Sequence, residues 1–173
     1  MTYDPNNVFA KVLRGELPAH KIYEDEDTLA FLDIMPRSEG HALVITKEKA
    51  TDLFDVSPQA LAKLMAVVQK LSPEIKEAVG ADGVLIAQFN GAAAGQTVFH
   101  LHVHIIPRKE GTELKPHAGI MADQAQLAAT AEKIRKKLRT ACNRNPRSRR
   151  GLRPCHHEAS SRAVAARMRR AQG

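Results

Sequence analysis

Along the first 138 residues, apolar runs of strand length are set among three stretches expected to be helical. The run Val8-Phe9-Ala10-Lys11-Val12-Leu13 predicts a short first helix, capped by Asn6 and stopped by Gly15. Residues 20–25 and 28–33 read as two strands joined by a tight acidic turn, and 42–46 as a third. Ser57-Pro58 is an N-cap followed by a first-turn proline, opening a helix whose Leu61, Leu64, Met65 and Val68 share a face. Pro73 predicts a kink or a break before 74–79. Gly80-Ala81-Asp82-Gly83 turns into a strand over 84–89, and a loop over 90–97 leads into a strand over 98–106 that Pro107 should close. A final helix is expected over 123–138. Strands grouped around a hairpin, with one long crossover helix and a C-terminal helix, give an α+β fold with an antiparallel sheet of about five strands. No internal repeat is visible.

The last of these strands carries the chemistry. In His100-Leu101-His102-Val103-His104-Ile105-Ile106 three histidines alternate with apolar residues. Strand side chains alternate faces, so the imidazoles share one face, roughly 6.6–6.8 Å apart, and Leu101, Val103 and Ile105 take the other. An imidazole with a pKa of about 6.5 is largely neutral at pH 7 and offers a lone pair without a separate base. The preceding loop, Asn90-Gly91-Ala92-Ala93-Ala94-Gly95-Gln96-Thr97, offers amide and hydroxyl donors and no carboxylate or thiolate, which suits an anion such as phosphate. His-x-His pairs also present ligands to zinc or copper, and a lone strand histidine is usually structural, so both readings compete with the phosphate site.

The segment 99–106 resembles the motif of the histidine triad (HIT) proteins, His-φ-His-φ-His-φ-φ with φ apolar. Asn90, Gly95-Gln96-Thr97-Val98, Asp33 in Leu29-Ala30-Phe31-Leu32-Asp33 and His41 in Gly40-His41-Ala42-Leu43-Val44-Ile45 extend the likeness, which covers about residues 7–138. The resemblance implies a HIT-like fold and a hydrolase or nucleotidyltransferase acting at the α-phosphate of a nucleotide conjugate, a phosphoramidate or a dinucleoside polyphosphate. It makes His102 the nucleophile, with a backbone carbonyl fixing its tautomer. Asn90, the Gly95 N–H, Thr97 and His104 would donate to the phosphate and leaving-group oxygens, with Thr97, His104 and His41 assisting catalysis; Gln96 and His100 would belong to the substrate-binding set; and Asp33 would accept the ribose hydroxyls. Ile22, Phe31 and Leu32 are candidates for the walls of a purine slot. It also implies a homodimer formed by joined sheets and a paired long helix. A nucleotide-binding regulator with incidental slow hydrolysis is the alternative.

The departures from that pattern bear on metal. Many members bind structural zinc through an N-terminal Cys-x-x-Cys, a histidine after the third strand and the first triad histidine. Here Asn7, Ala10 and Lys49 stand at the first three positions and only His100 matches. One ligand does not hold a zinc that wants four, so neither a metal nor a cofactor is expected.

Composition adds little to this picture except at the C-terminal end. The 173 residues are 43% hydrophobic, enough for one core. No 18-residue apolar run predicts a transmembrane helix, and residues 1–5 lack the basic and apolar regions of a signal peptide, so a cytoplasmic location is the default expectation. Cys142 and Cys155 lie beyond the recognisable domain and indicate no disulfide framework. The net charge of +7 is uneven. Residues 139–173 hold ten arginines, no lysine and one acid, Glu158, whereas 1–138 hold 16 basic against 18 acidic residues. Without aromatic residues for stacking, this tail does not read as a nucleic-acid binder. Three segments result: 1–6, a HIT domain over 7–138, and an Arg-rich tail over 139–173. The tail is expected to be disordered and dispensable for activity.

Overall fold

The computed structural model describes residues 2–116 and 119–144; the Arg-rich tail beyond residue 144 lies outside the described residues. The elements run α1 (Val8–Leu13), β1 (Lys21–Glu24), β2 (Thr28–Leu32), β3 (Ala42–Thr46), α2 (Pro58–Ala78), β4 (Gly83–Ala87), β5 (His102–Arg108) and α3 (Gln124–Arg144). All five strands form one antiparallel sheet in the order β1-β2-β3-β5-β4. The chain leaves β3, crosses along α2 to the far edge, and returns as the β4–β5 hairpin, so β5 lies against β3. The fold is α+β, and among the described residues no helix is long and apolar enough to cross a membrane.

Every residue of β2 and of β3 is buried, because both faces of the central sheet are covered. Ala30, Leu32, Val44, Val103 and Ile105 join Leu64, Val68, Leu71 and Ile75 of α2 and Leu127, Ala131 and Ile134 of α3 in the larger core. Leu29, Phe31, Leu43 and Ile45, the alternate strand positions, pack with Phe9 and Val12 of α1 in a smaller one. Leu43 pairs with His104 and Ile45 with His102, so the two histidines stand on the α1 side. Ile22 and Leu32 belong to the larger core and therefore cannot wall a slot beside the histidines, contrary to expectation; Phe31 is on the histidine side.

Local chemistry departs from the sequence pattern in several places. The cap of α1 is Asn7, not Asn6: its side chain accepts the Ala10 N–H at 2.9 Å, while the Asn6 N–H donates to the Asp4 carboxylate. Helix α2 passes through Pro73 without a break. Proline removes the hydrogen bond to the carbonyl four residues earlier, but Pro73 and Gln69 both face solvent, where water can satisfy that carbonyl. Met65 lies on the exposed side of α2; Leu64, Val67, Val68, Leu71 and Ile75 form the buried face. Strand β5 begins at His102 rather than at Val98, so His100 precedes it. Nor does Pro107 close the strand, because β3 pairing ends at Ile105 and the missing N–H falls where β5 has only β4 as a neighbour. Helix α3 continues past Leu138 to Arg144, helped by an ion pair between Arg139 and Glu132.

Candidate functional site

The β2–β3 hairpin delivers two of the expected residues together. Leu32 and Ala42 are the last paired positions, and beyond them the Asp33 N–H donates to the His41 carbonyl at 3.0 Å. Gly40, at φ +80, makes the turn into His41 with its α-carbon pressed against α2. His41 is thereby buried beside His104 of β5, its Nε2 2.9 Å from His104 Nδ1.

Tautomers follow from the partners. The Arg37 N–H donates to His41 Nδ1 at 3.2 Å, so in the neutral ring Nε2 bears the proton and donates to His104 Nδ1. His104 then carries its own proton on Nε2. The Asp33 carboxylate also stands 3.5 Å from His41 Nδ1, and its other oxygen accepts the Met35 N–H at 2.8 Å. His102 Nδ1 lies 2.6 Å from the carbonyl of His100. A carbonyl can only accept, so Nδ1 is the donor and the lone pair sits on Nε2. The His102 and His104 rings meet edge to face at 4.9 Å between centroids, closer than the strand repeat, flanked by Phe9 and Phe89.

His100 is placed differently from its expected role. Its ring is fully buried, with Nε2 2.8 Å from the Thr46 carbonyl and Nδ1 2.7 Å from the Tyr3 hydroxyl. Burial pushes its imidazole below the ordinary histidine pKa, a shift that the hydrogen bond to Thr46 opposes and nearby His102 reinforces. With both nitrogens occupied within the protein, the ring does not reach a substrate; its carbonyl, by contrast, orients His102.

The loop residues are also partly reassigned. Ala92–Ala94 form a single 3-10 turn, and Gly95 follows at φ +96, a backbone conformation that glycine adopts without strain. The Gly95 N–H donates to Ala92 O at 2.9 Å and the Gln96 N–H to Gly91 O at 3.1 Å, so the Gly95 amide expected to hold a phosphate is spent on the loop's own turn. Gln96 is buried and pins the loop: its Oε1 accepts the Gly91 N–H, and its Nε2 donates to Thr51 O and Val98 O. It shapes the site without facing it. Asn90 Oδ1 accepts the Leu53 N–H at 2.9 Å and Gln88 Nε2 at 3.0 Å, which leaves its amide nitrogen as the donating edge. Thr97 is exposed at the loop's exit. Sequence reasoning missed Tyr3 and Leu53, whose contacts with His100 and Asn90 join distant stretches of chain, and Gln88, whose side chain turns back onto Asn90 two residues on.

The zinc set implied by the family does not fit these residues. The Asn7 carbonyl oxygen caps α1, Ala10 is a buried methyl, and His100 has both nitrogens engaged. A different trio, Asp33, His41 and His104, has ligand atoms within 4.8 Å of one another, so the fold supplies the carboxylate that the loop lacks. There the two imidazoles hydrogen-bond to each other.

The class defined by fold and site is an antiparallel α+β protein built around a cluster of imidazoles beside a glycine-containing loop. The HIT domain family model matches residues 14–111, and the chain belongs to that family. Adenylylsulfatase HINT3 of Arabidopsis thaliana is 46% identical to it over 103 residues, 60% of this chain and 52% of that protein. Adenosine 5'-monophosphoramidase hnt1 of Schizosaccharomyces pombe is 41% identical over 101 residues, 58% of this chain and 73% of that protein. The crystal structure of a Hit-like protein involved in cell-cycle regulation from Bartonella henselae matches with a TM-score of 0.76 at 47% identity, covering 79% of this chain and 99% of that one.

Proposed function

We propose that this protein is a nucleotide-conjugate hydrolase or nucleotidyltransferase that attacks an α-phosphate through His102. The observation that carries this reading is the 2.6 Å bond from His102 Nδ1–H to the His100 carbonyl, which commits the lone pair to Nε2. In this reading Nε2 forms a bond to phosphorus as the bond to the leaving group breaks, giving a nucleotidyl-histidine. The leaving group takes the proton from His104 Nε2, and His41 Nε2–H replaces it at His104 Nδ1. For the protons to balance, His41 begins with one on Nδ1 as well, directed to the Asp33 carboxylate 3.5 Å away in place of the Arg37 N–H, and ends neutral. Water then hydrolyses the P–N bond and frees the nucleoside monophosphate.

Asn90 and Thr97 serve as donors to the non-bridging oxygens, where one preorganised donor is worth about 2.7–4 kcal/mol in the transition state. The exposed edge of Asp33 accepts the ribose hydroxyls. The names of the Arabidopsis and fission yeast relatives favour an adenylyl group as the transferred nucleotide. A homodimer suits the edge strand β4, where Leu85 and Ile86 are 40% and 41% exposed, and the exposed Met65 of α2.

Acid quenching with adenosine 5'-phosphoramidate or a diadenosine polyphosphate, followed by mass spectrometry, tests the mechanism. A nucleotidyl adduct is expected on the wild type and none on His102→Ala; an adduct that persists in the variant refutes the assignment.

A further inference from the structure

Tyr3 stands outside the motif and outside every element of the sheet, yet its hydroxyl is 2.7 Å from the first triad histidine. The Thr46 carbonyl accepts from His100 Nε2, so that nitrogen bears the proton and Nδ1 is a lone pair. The Tyr3 hydroxyl is therefore the donor. Its ring meets the His100 ring edge to face at 5.6 Å, and Phe9 closes the imidazole from another side at 6.2 Å.

What Tyr3 fixes matters because of where His100 lies. Strand β5 and its pairing with β3 begin at His102, so the sheet ladder does not hold residue 100. Its backbone is tethered by the Leu101 N–H to Ala50 O at 2.8 Å and by the two bonds of its own ring. The carbonyl of this residue is the acceptor that aims His102. Tyr3 is in turn held to α1, because the next residue, Asp4, accepts from the Asn6 N–H, the Asn7 N–H and the Asn7 side chain. A continuous chain of contacts thus runs from the cap of α1 through Tyr3 and His100 to the proposed nucleophile.

The geometry points to Tyr3 as a positioning residue for the reaction: by locking the His100 ring, its hydroxyl holds the carbonyl that orients His102. This inference rests on the proposed attack by His102. Tyr3→Phe is the test, since it removes the donor and keeps the ring edge that packs on His100. In the full-length protein, with adenosine 5'-phosphoramidate as substrate, kcat and the rate of adduct formation should fall roughly tenfold, the scale expected for a sub-ångström misalignment of a reacting group. KM should stay within about twofold, because no contact to the substrate is lost. The low-field proton resonance of His102 Nδ1–H should broaden or move upfield. A variant with wild-type kcat and adduct rate, or one impaired through KM alone, overturns the inference while leaving the nucleophile assignment intact. Absence of any adduct on the wild type would instead overturn the proposed function itself.

Discussion

Gly40→Ala should be among the most damaging single-methyl additions in this fold. At φ +80 an alanine occupies the left-handed region, which costs an L-residue about 1–2 kcal/mol. The added Cβ would lie 2.8 Å from Val79 Cγ1, 3.4 Å from Pro107 Cγ and 3.5 Å from Ile75 Cγ2. Val79 is short, β-branched and buried at the end of α2, and Ile75 is fully buried, so neither can swing aside. Overpacking of that kind adds about 1–3 kcal/mol, for a total of roughly 2–5 kcal/mol. With an m-value of about 2 kcal/mol/M in urea, the unfolding midpoint should fall by roughly 1–2.5 M. Because residue 40 leads directly into His41, the same strain should displace His41 from His104 and lower turnover beyond what the loss of folded protein explains. The double variant Gly40→Ala/Val79→Ala relieves the 2.8 Å contact and leaves the backbone penalty, so it should be less destabilised than the two single changes added together. A Gly40→Ala midpoint within about 0.3 M of wild type, equivalent to ~0.6 kcal/mol, would refute the packing argument.

Other expectations follow from single contacts. His100 is held neutral by burial, so its folded pKa lies below the unfolded value. Its stabilising contribution is therefore complete above the unfolded pKa of about 6.5 and declines as pH falls through that value toward the folded one, by at most ~1.4 kcal/mol per pH unit. Urea midpoints at pH 7.5 and 5.5 should show the drop, and equal midpoints would contradict it. Gln96→Ala strands Thr51 O and the Gly91 N–H and should cost about 2–4 kcal/mol, read by thermal melting, with a rise in KM as the loop loosens. If β4 forms the proposed dimer, Ile86→Lys should convert it to monomers in sedimentation without a comparable loss of monomer folding, since that side chain is 41% exposed.

Much of this was legible in the sequence where the signal is local. Ser57-Pro58 marks the start of α2 because capping and a fixed φ act within one turn, and the Ser57 side chain does accept the Ala60 N–H. Ala42–Thr46 forms the strand that its unbroken apolar run predicts, and the alternation of histidines with Val103 and Ile105 separates the site face from the core. The misreadings arise where a residue's surroundings, near or far along the chain, are set by packing that its own stretch of sequence does not encode. Pro107 looks like a terminator until β5 is seen to outrun β3, and Pro73 looks like a breaker until its side of α2 is seen to be wet. Gly95 and Gln96 look like phosphate ligands until the loop's own turn claims the amide of one and the side chain of the other. Tyr3 carries no motif at all, and its meaning comes from His100, 97 positions away.

The two-sided burial of β2 and β3 also limits how such a protein can diversify. In most antiparallel sheets every second strand position faces water and drifts freely, but Thr28–Leu32 and Ala42–Thr46 offer no such position. A saturation library across these ten residues should lose polar replacements on both parities of the strand. Variation that tunes one descendant away from another is then confined to the outer strands β1 and β4, the loops and the helix surfaces.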